Sequence, residues 1–243
     1  MRISNFIKGS LATLTAFGLA TPALSAEVLF NTNNNTKAGE GRIFSDGDTK
    51  VRVSAWSIIN GVVRDGHLGI YNQGAGVTND VRGDSHTIDN GGSLDFLVLQ
   101  FNDMVSLTNA DFRTGFHGKS DTDATIGYAN SLVDFASQLP LDGISATQLS
   151  SIGNLFSSNA ARGNSVRNIN PGAFAANTWL IGASFNNPDH RGDGFKLRGV
   201  EFDVVTPMAP VPEPATWALM LIGFAVVSGT MRSRKKTGRL ALA

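Results

Sequence analysis

Aspartates recur at short spacing in turn-like stretches of the sequence, and they are the residues best able to bind a ligand. Three such clusters occur: Asp46-Gly-Asp48, Asp121-Thr-Asp123 and Asp189-His-Arg-Gly-Asp193-Gly194. Hard cations such as Ca²⁺ take several oxygen ligands, which neighbouring carboxylates can supply. No cluster completes an Asp-x-Asp-x-Asp-Gly loop, and acidic turns often need no metal. Calcium is the cofactor that these residues favour, and the alternative is that they bind none.

A second polar cluster surrounds a histidine and consists of Asp84, His86, Asp89 and Asn90. In one interpretation, the Asp and Asn side chains bond nearby backbone amides and shape a turn. In the other, they form a polar patch beside a strand that binds a sugar or a metal ion. Both interpretations stay open at the level of the sequence.

Residues for catalysis are harder to find. The nearest approach to a Gly-x-Ser-x-Gly elbow is Gly182-Ala-Ser184-Phe-Asn, which lacks the second glycine. The chain has no cysteine, and its four histidines lack the spacing of zinc sites. Asp89 and Asp95 could act as paired carboxylates on a glycoside, but nothing singles them out. We expect a protein that is not an enzyme, and a polysaccharide-active enzyme is the third alternative.

Sugar binding would also need an exposed aromatic ring. Trp179 lies in an apolar stretch and is expected in the core, whereas Tyr71 lies between Ile70 and Asn72 close to glycines. Tyr71 is therefore the better candidate for stacking on a sugar.

Apolar runs predict the strands that must position these residues. The expected strands cover residues 51–56, 94–101, 105–107, 178–185 and 195–205. In the last of them the apolar positions change phase at Arg198-Gly199, which predicts a β-bulge. Short strands separated by Gly, Asn and Asp turns favour a mainly β domain, specifically a β-sandwich or jelly roll.

Residues 128–161 differ from the rest because they have few glycines and show helical spacing. Ser145 and Gln148 match a capping box, and Leu149, Ile152 and Leu155 follow at helical intervals. We predict one or two short helices inserted between strands, covering one open end of the core. A functional lid is the alternative.

Charge is unevenly distributed along the chain. Residues 27–210 carry 19 Asp and Glu against 13 Lys and Arg, whereas cations concentrate near the C-terminus. Nucleic-acid binding depends on neutralising phosphates, so an acidic body without a basic stripe argues against it.

The N-terminus has the pattern of a secretory signal peptide, covering residues 1–26. Arg2 and Lys8 precede an apolar stretch, and Ala23 and Ser25 satisfy the small-residue rule for cleavage after Ser25. Cleavage after Ala26 is the second option, and a retained membrane helix is the alternative. The partners that this pattern implies are a secretion translocon and a signal peptidase.

The C-terminus combines three features. Pro212, Glu213 and Pro214 keep the chain extended, and residues 215–231 form an apolar run near the lower limit for crossing a membrane. A basic cluster then follows, with Arg232, Arg234, Lys235 and Lys236. The positive-inside rule keeps this cluster cytoplasmic and places residues 27–210 on the far side of the membrane. An ordinary single-span anchor is the alternative to a processed one.

The motif Val211-Pro-Glu-Pro-Ala-Thr-Trp217, the apolar span and the basic cluster together resemble the PEP-CTERM sorting signal. The resemblance implies processing by an exosortase, a membrane protease, and delivery to the cell surface or exopolysaccharide matrix of a Gram-negative bacterium. The stretches His86–Asn90, Asp95–Phe101 and Trp179–Gly182 also resemble the β-sandwich ectodomains that precede this signal. That second resemblance implies an architecture and a location.

These observations predict five segments: a signal peptide (1–26), a β-sandwich ectodomain (27–207), a Pro-rich linker (208–214), a transmembrane segment (215–231) and a basic cytoplasmic tail (232–243). The expected protein is a non-catalytic envelope or matrix component, anchored in the inner membrane until it is processed. The alternative is a calcium-assisted carbohydrate-binding module.

Overall fold

The computed structural model describes residues 25–31, 41–79, 86–116, 121–160, 162–187, 189, 191–205, 220–222 and 224. Within the described part of residues 25–205, the chain forms twelve strands and one helix. In chain order these are β1 (Ser25–Leu29), β2 (Arg42–Asp46), β3 (Thr49–Ile59), β4 (Val62–Tyr71), β5 (Gly74–Thr78), β6 (Ile88–Asp89), β7 (Leu94–Arg113), β8 (Ala124–Ala129), α1 (Ala146–Ile152), β9 (Asn154–Ser158), β10 (Ser165–Asn168), β11 (Ala176–Ala183) and β12 (Gly194–Val204).

The 20-residue strand β7 organises the sheet because its two halves have different neighbours. Its first half, Leu94–Phe101, pairs with β3 on one side and with β11 on the other. Its second half, Val105–Arg113, pairs with β12 and β10. All of these pairings are antiparallel, so a single strand connects the two parts of the fold.

Five strands close a circuit. From β7 the hydrogen-bonded path runs through β3, β4 and β5 to β12, and β12 returns to β7. The link between β5 and β12 is a single residue pair, Ala75 and Leu197. Beyond the circuit, β8 and β9 continue from β11, and β1 lies against β12.

The circuit surrounds the main hydrophobic core. Phe112, Phe195 and Phe202 are fully buried there, and the rings of Phe112 and Phe195 meet edge to face at 4.9 Å. A smaller cluster packs Trp56 and Phe96 against Leu149 of α1. Burying each large apolar side chain stabilises the fold by about 1.5–3 kcal/mol.

The expectation of a mainly β domain is confirmed. The structure joins the strands expected at 94–101 and 105–107 into β7, because the chain stays extended through Asn102 and Asp103. The bulge expected at Arg198-Gly199 is present as a register shift between Leu197 and Gly199. The expected sandwich placed strands in two separate sheets, whereas β7 and β12 here join them into one.

The expectation for residues 128–161 is partly wrong. The capping box is present, with the Ser145 hydroxyl accepting from Gln148 N and the Gln148 side chain accepting from Ser145 N. However, α1 has only seven residues, and the segment starts inside β8 and contains β9. Leu155 and Phe156 follow the helical pattern in the sequence but lie in β9, because Gly153 ends the helix in an extended conformation.

The chain divides into two compact units, Met1–Val205 and Thr206–Ala243. Residues 1–24 of the predicted signal peptide lie outside the described residues. In the second unit, residues 220–222 and 224 are helical. Among the described residues there is no helix with the length and apolar character that crossing a membrane requires.

Candidate metal centre

Three aspartates converge where β8 and β12 begin. Asp121 and Asp123 directly precede β8, Asp193 directly precedes β12, and Asp121 and Asp193 form a parallel bridge. Gly194 N donates to Asp121 O at 3.1 Å, which fixes the two chain segments side by side. Each aspartate offers a carboxylate oxygen within 4.8 Å of those of the other two. We call Asp121, Asp123 and Asp193 the acidic cluster.

Asp193 is the most deeply buried member, with an exposed fraction of 0%. Its Oδ2 accepts from Asn90 Nδ2 at 2.5 Å and from Ser184 N at 3.2 Å. Its Oδ1 is buried and has no hydrogen-bond partner among the residues that the structure describes. Burial, followed by the negative charges of Asp121 and Asp123, raises the pKa of Asp193 to about 7.

The other two carboxylates are held by backbone amides. Asp121 Oδ1 accepts from Asp123 N at 3.3 Å, and Asp123 Oδ1 accepts from Ala160 N at 2.7 Å. Burial and the charge of Asp123 raise the pKa of Asp121. Both side chains are therefore fixed in the interior, and for Asp121 burial disfavours the charged form.

Arg167 is a half-buried cation beside this cluster. Its Nη2 donates to Thr122 O at 2.6 Å and to Ser158 O at 3.0 Å, and its Cζ lies 3.8 Å from the centre of the Phe112 ring. Burial lowers the pKa of Arg167 to about 10, while Asp123 and Asp121 act in the opposite direction. The guanidinium is charged at neutral pH but donates to carbonyl and hydroxyl oxygens.

Some of the residues flagged in the sequence meet at this site. Asn90 Oδ1 accepts from Asp193 N at 3.0 Å, so Asn90 bonds both the backbone and the side chain of Asp193. Asp189 lies near enough for its charge to raise the pKa of Asp121 and of Asp193. The Asp189 carboxylate also accepts from Arg191 N at 3.0 Å.

Other flagged residues lie elsewhere. Asp46 and Asp48 are exposed in the turn between β2 and β3, and Asp46 Oδ2 accepts from Glu27 N at 3.3 Å. Asp89 accepts from Thr87 Oγ1 at 2.8 Å and from Gly91 N at 2.7 Å, contacts of the kind that shape a turn. Asp84 lies outside the described residues.

The aromatic side chains are largely covered. The Tyr71 ring contacts the ring of His86, and Lys196 Nζ lies 4.5 Å from its centre. His86 Nδ1 also bonds Thr78 Oγ1. Trp56 and Trp179 are 1% and 0% exposed. Tyr71 is thus packed against a histidine and a lysine, which leaves it less suited to stack on a sugar than its sequence context predicts.

In the sequence the three aspartate groups are separate candidates, and nothing in it predicts that two of them share a site. Seventy residues separate Asp123 from Asp193. The bridge between Asp121 and Asp193 and the backbone bonds around it bring the two clusters together, and no local sequence pattern encodes these long-range contacts.

Comparison with known proteins identifies the C-terminal segment. No curated protein and no solved structure matches the chain. A family model described as the PEP-CTERM protein-sorting motif matches residues 210–235, which include Pro212, Glu213, Pro214 and the cations Arg232, Arg234 and Lys235. These three motif residues and three cations lie outside the described part of the structure, whereas residues 220–222 and 224 of the matched range are described. The chain is therefore an exported protein that passes the membrane and carries a C-terminal PEP-CTERM motif, the signal by which an exosortase sorts and processes its substrates.

Proposed function

We propose that this protein is a non-catalytic component of the cell surface or extracellular matrix, associated with exopolysaccharide. The observation that carries the proposal is the PEP-CTERM motif at residues 210–235. On this proposal the sorting signal is discarded after use, as the apolar tail of a GPI signal is. On this proposal the folded unit is the working part of the protein, and the C-terminal segment serves delivery.

The fold supports this division of labour. The last strand, β12, ends at Val204, and the first compact unit ends at Val205. The sorting motif begins five residues later, at residue 210. Cleavage near Pro212–Pro214 therefore removes no strand and no core residue of the described fold.

The predicted cleavage at the other end falls inside β1. Cleavage after Ser25 or Ala26 leaves Glu27–Leu29, which pair with Gly199–Glu201 of β12. Val28, which is 3% exposed, and the fully buried Phe30 stay in the core. The new N-terminus would thus lie at the start of an edge strand that is still anchored.

Intact-mass analysis of the protein recovered separately from membrane, surface and medium fractions of its host tests the proposal. We expect a species that starts at Ala26 or Glu27 and ends between Pro212 and Ala215 in the surface or medium fraction. Recovery only as a membrane-bound species that retains Arg232–Ala243 would contradict processing and leave an ordinary anchored ectodomain.

A second candidate function is that of a calcium-assisted carbohydrate-binding module. The observation that favours it is a polar cleft of about 470 Å³, a size that suits a small ligand. Arg52, Trp56, Asp65, Gln138 and Asp142 line the cleft. Gln138 Oε1 is buried and has no partner among the described residues, so a rotation of this side chain into the cleft would let the oxygen accept from a sugar hydroxyl.

Binding of the host's purified exopolysaccharide, measured by calorimetry with and without EDTA, tests this second candidate. Saturable binding that Gln138→Leu abolishes and the exposed control Asp46→Asn leaves intact would support it. Loss of that binding in EDTA would show that the binding requires calcium. Absence of saturable binding, or equal binding by Gln138→Leu, would exclude the cleft as the sugar site.

A further inference from the structure

The acidic cluster gathers three carboxylates where water cannot screen them. Asp121 and Asp123 are each 5% exposed and Asp193 is 0% exposed, and their ligand oxygens lie within 4.8 Å of one another. Like charges at such separations repel strongly in the protein interior. Buried charges in folded proteins are normally paired with an opposite charge or coordinate a metal ion. A nearby positive charge would therefore stabilise the cluster.

The neighbouring side chains supply too little of it. Arg167 is a single cation whose donors go to Thr122, Ser158 and Ser165. Asp189 adds a further negative charge that acts on Asp121 and Asp193. Arg191 pairs with Asp189 at 3.6 Å, so the three central carboxylates are left with the one half-buried guanidinium of Arg167 beside them.

An independent observation points to a ligand at the same place. Asp193 is completely buried, yet its Oδ1 has no hydrogen-bond partner in the described part of the chain. Its Oδ2, in contrast, accepts two hydrogen bonds. The large majority of buried side-chain polar atoms find a partner, and an ion or a water molecule is one explanation of an unpaired one. The free oxygen belongs to the carboxylate that the other two aspartates approach.

We propose that Asp121, Asp123 and Asp193 bind a divalent cation, and that this cation is Ca²⁺. All three ligand groups are carboxylates, which hard cations prefer, whereas the soft thiolate ligands are absent from the sequence altogether. Ca²⁺ accepts six to eight oxygens in irregular geometry, while Mg²⁺ demands a near-ideal octahedron. Three carboxylates held by two backbone segments fit the more tolerant ion.

The position of the site indicates what the ion does. It would join the start of β8 to the start of β12, and Asn90 links the loop after β6 to Asp193. The ion would thus cross-link two segments that are distant in sequence, and the hydrogen bonds of Asn90 would tie a third segment to them. A protein outside the cytoplasm meets the calcium concentrations, on the order of 0.1–1 mM, at which extracellular calcium modules bind.

Calcium titration of the full chain, purified in mild detergent and treated with EDTA before dialysis, tests the proposal. We expect calorimetry to detect one binding site, and the melting temperature to rise with Ca²⁺ up to about 1 mM. Mg²⁺ at equal concentration should produce a smaller shift. The double variant Asp121→Asn/Asp123→Asn should lose both the heat of Ca²⁺ binding and the rise in melting temperature.

The variant Asp46→Asn/Asp48→Asn is the matched control, since it removes two exposed carboxylates from another acidic turn and should respond to Ca²⁺ like the wild type. Circular dichroism checks that each variant folds, and Asp193→Asn replaces the double variant if that one does not. The proposed site would be contradicted if the wild type showed neither heat of Ca²⁺ binding nor a rise in melting temperature. It would also be contradicted if a variant of the acidic cluster bound Ca²⁺ like the wild type. A response to Mg²⁺ as strong as that to Ca²⁺ would overturn the choice of ion.

Discussion

Deprotonation of Asp193 destabilises the folded state when no metal is bound. Its pKa is raised from 3.8 to about 7 by burial first, and then by the charges of Asp121, Asp123 and Asp189. The folded state therefore holds a proton that the unfolded chain releases above about pH 4. Stability from this group is complete below pH 4 and is lost as the pH rises through 7.

We expect the free energy of unfolding in EDTA to fall between pH 4 and 7 in the wild type relative to Asp193→Asn. The upper limit of the difference is on the order of 4 kcal/mol, because each pKa unit is worth about 1.4 kcal/mol. Urea denaturation at several pH values measures it. Added Ca²⁺ should reduce the loss, since it binds the deprotonated carboxylate. Parallel pH profiles for the two proteins would contradict this prediction.

Arg167 ties β10 to the segment that carries the acidic cluster. Arg167→Met should lower the free energy of unfolding by about 1–3 kcal/mol, because it leaves oxygens of the buried Thr122 and the half-buried Ser158 unpaired. The control Arg64→Met breaks an exposed pair with Asp142 at 3.9 Å and should change stability by less than about 1 kcal/mol. Similar denaturation midpoints for both variants would rule out the anchoring role.

At the scale of elements, closure of the sheet depends on a close approach between β5 and β12. Gly74 has φ +126°, and a Cβ there would lie 2.6 Å from Leu197 O. The residue pair Ala75 and Leu197, next to this contact, is the only described link between the two strands. A side chain at position 74 would therefore push β12 away where the circuit closes.

Gly74→Ala should lower the free energy of unfolding by clearly more than about 1 kcal/mol, since both the backbone angle and the contact oppose it. Gly47→Ala is the control: Gly47 also has a positive φ, +56°, but a Cβ there meets nothing within 4 Å. Thermal denaturation compares the two variants. Equal losses would mean that backbone strain alone, without the contact, accounts for the effect.

Local patterns predicted local features well. The phase change at Arg198-Gly199 and the capping box at Ser145 could be read because their causes lie within a few residues. The acidic cluster could not be predicted from the sequence, since it depends on pairing between residues 121 and 193. The helical spacing of Leu155 and Phe156 misled for the same reason: pairing of β9 with β8 overrides the local preference.

At the scale of the whole molecule, sorting and folding should be separable. Changing Pro212, Glu213 and Pro214 together to alanine should leave an unprocessed precursor in the membrane fraction, because the processing enzyme loses its motif. The melting temperature of the folded unit should not change, since the described strands end at Val204. Immunoblots of cell fractions and thermal denaturation measure the two effects.

Pro207→Ala is the control for this experiment, since it removes a proline that precedes the matched segment 210–235. It should be processed like the wild type. Normal processing of the triple variant, or a processing defect in the control, would contradict the assignment of the motif as the recognised element.

The pairing of β1 with β12 sets an order of events during synthesis and export. The first and last strands of the described fold are neighbours, and residues 25–29 find their strand partners at 199–203. Contacts between residues far apart in sequence form slowly, because the intervening chain must first be brought together. The N-terminal part of the domain therefore cannot complete its sheet until the part just before the sorting motif is also available. A chain threaded through a translocon N-terminus first would remain unfolded during passage and close its sheet only after crossing.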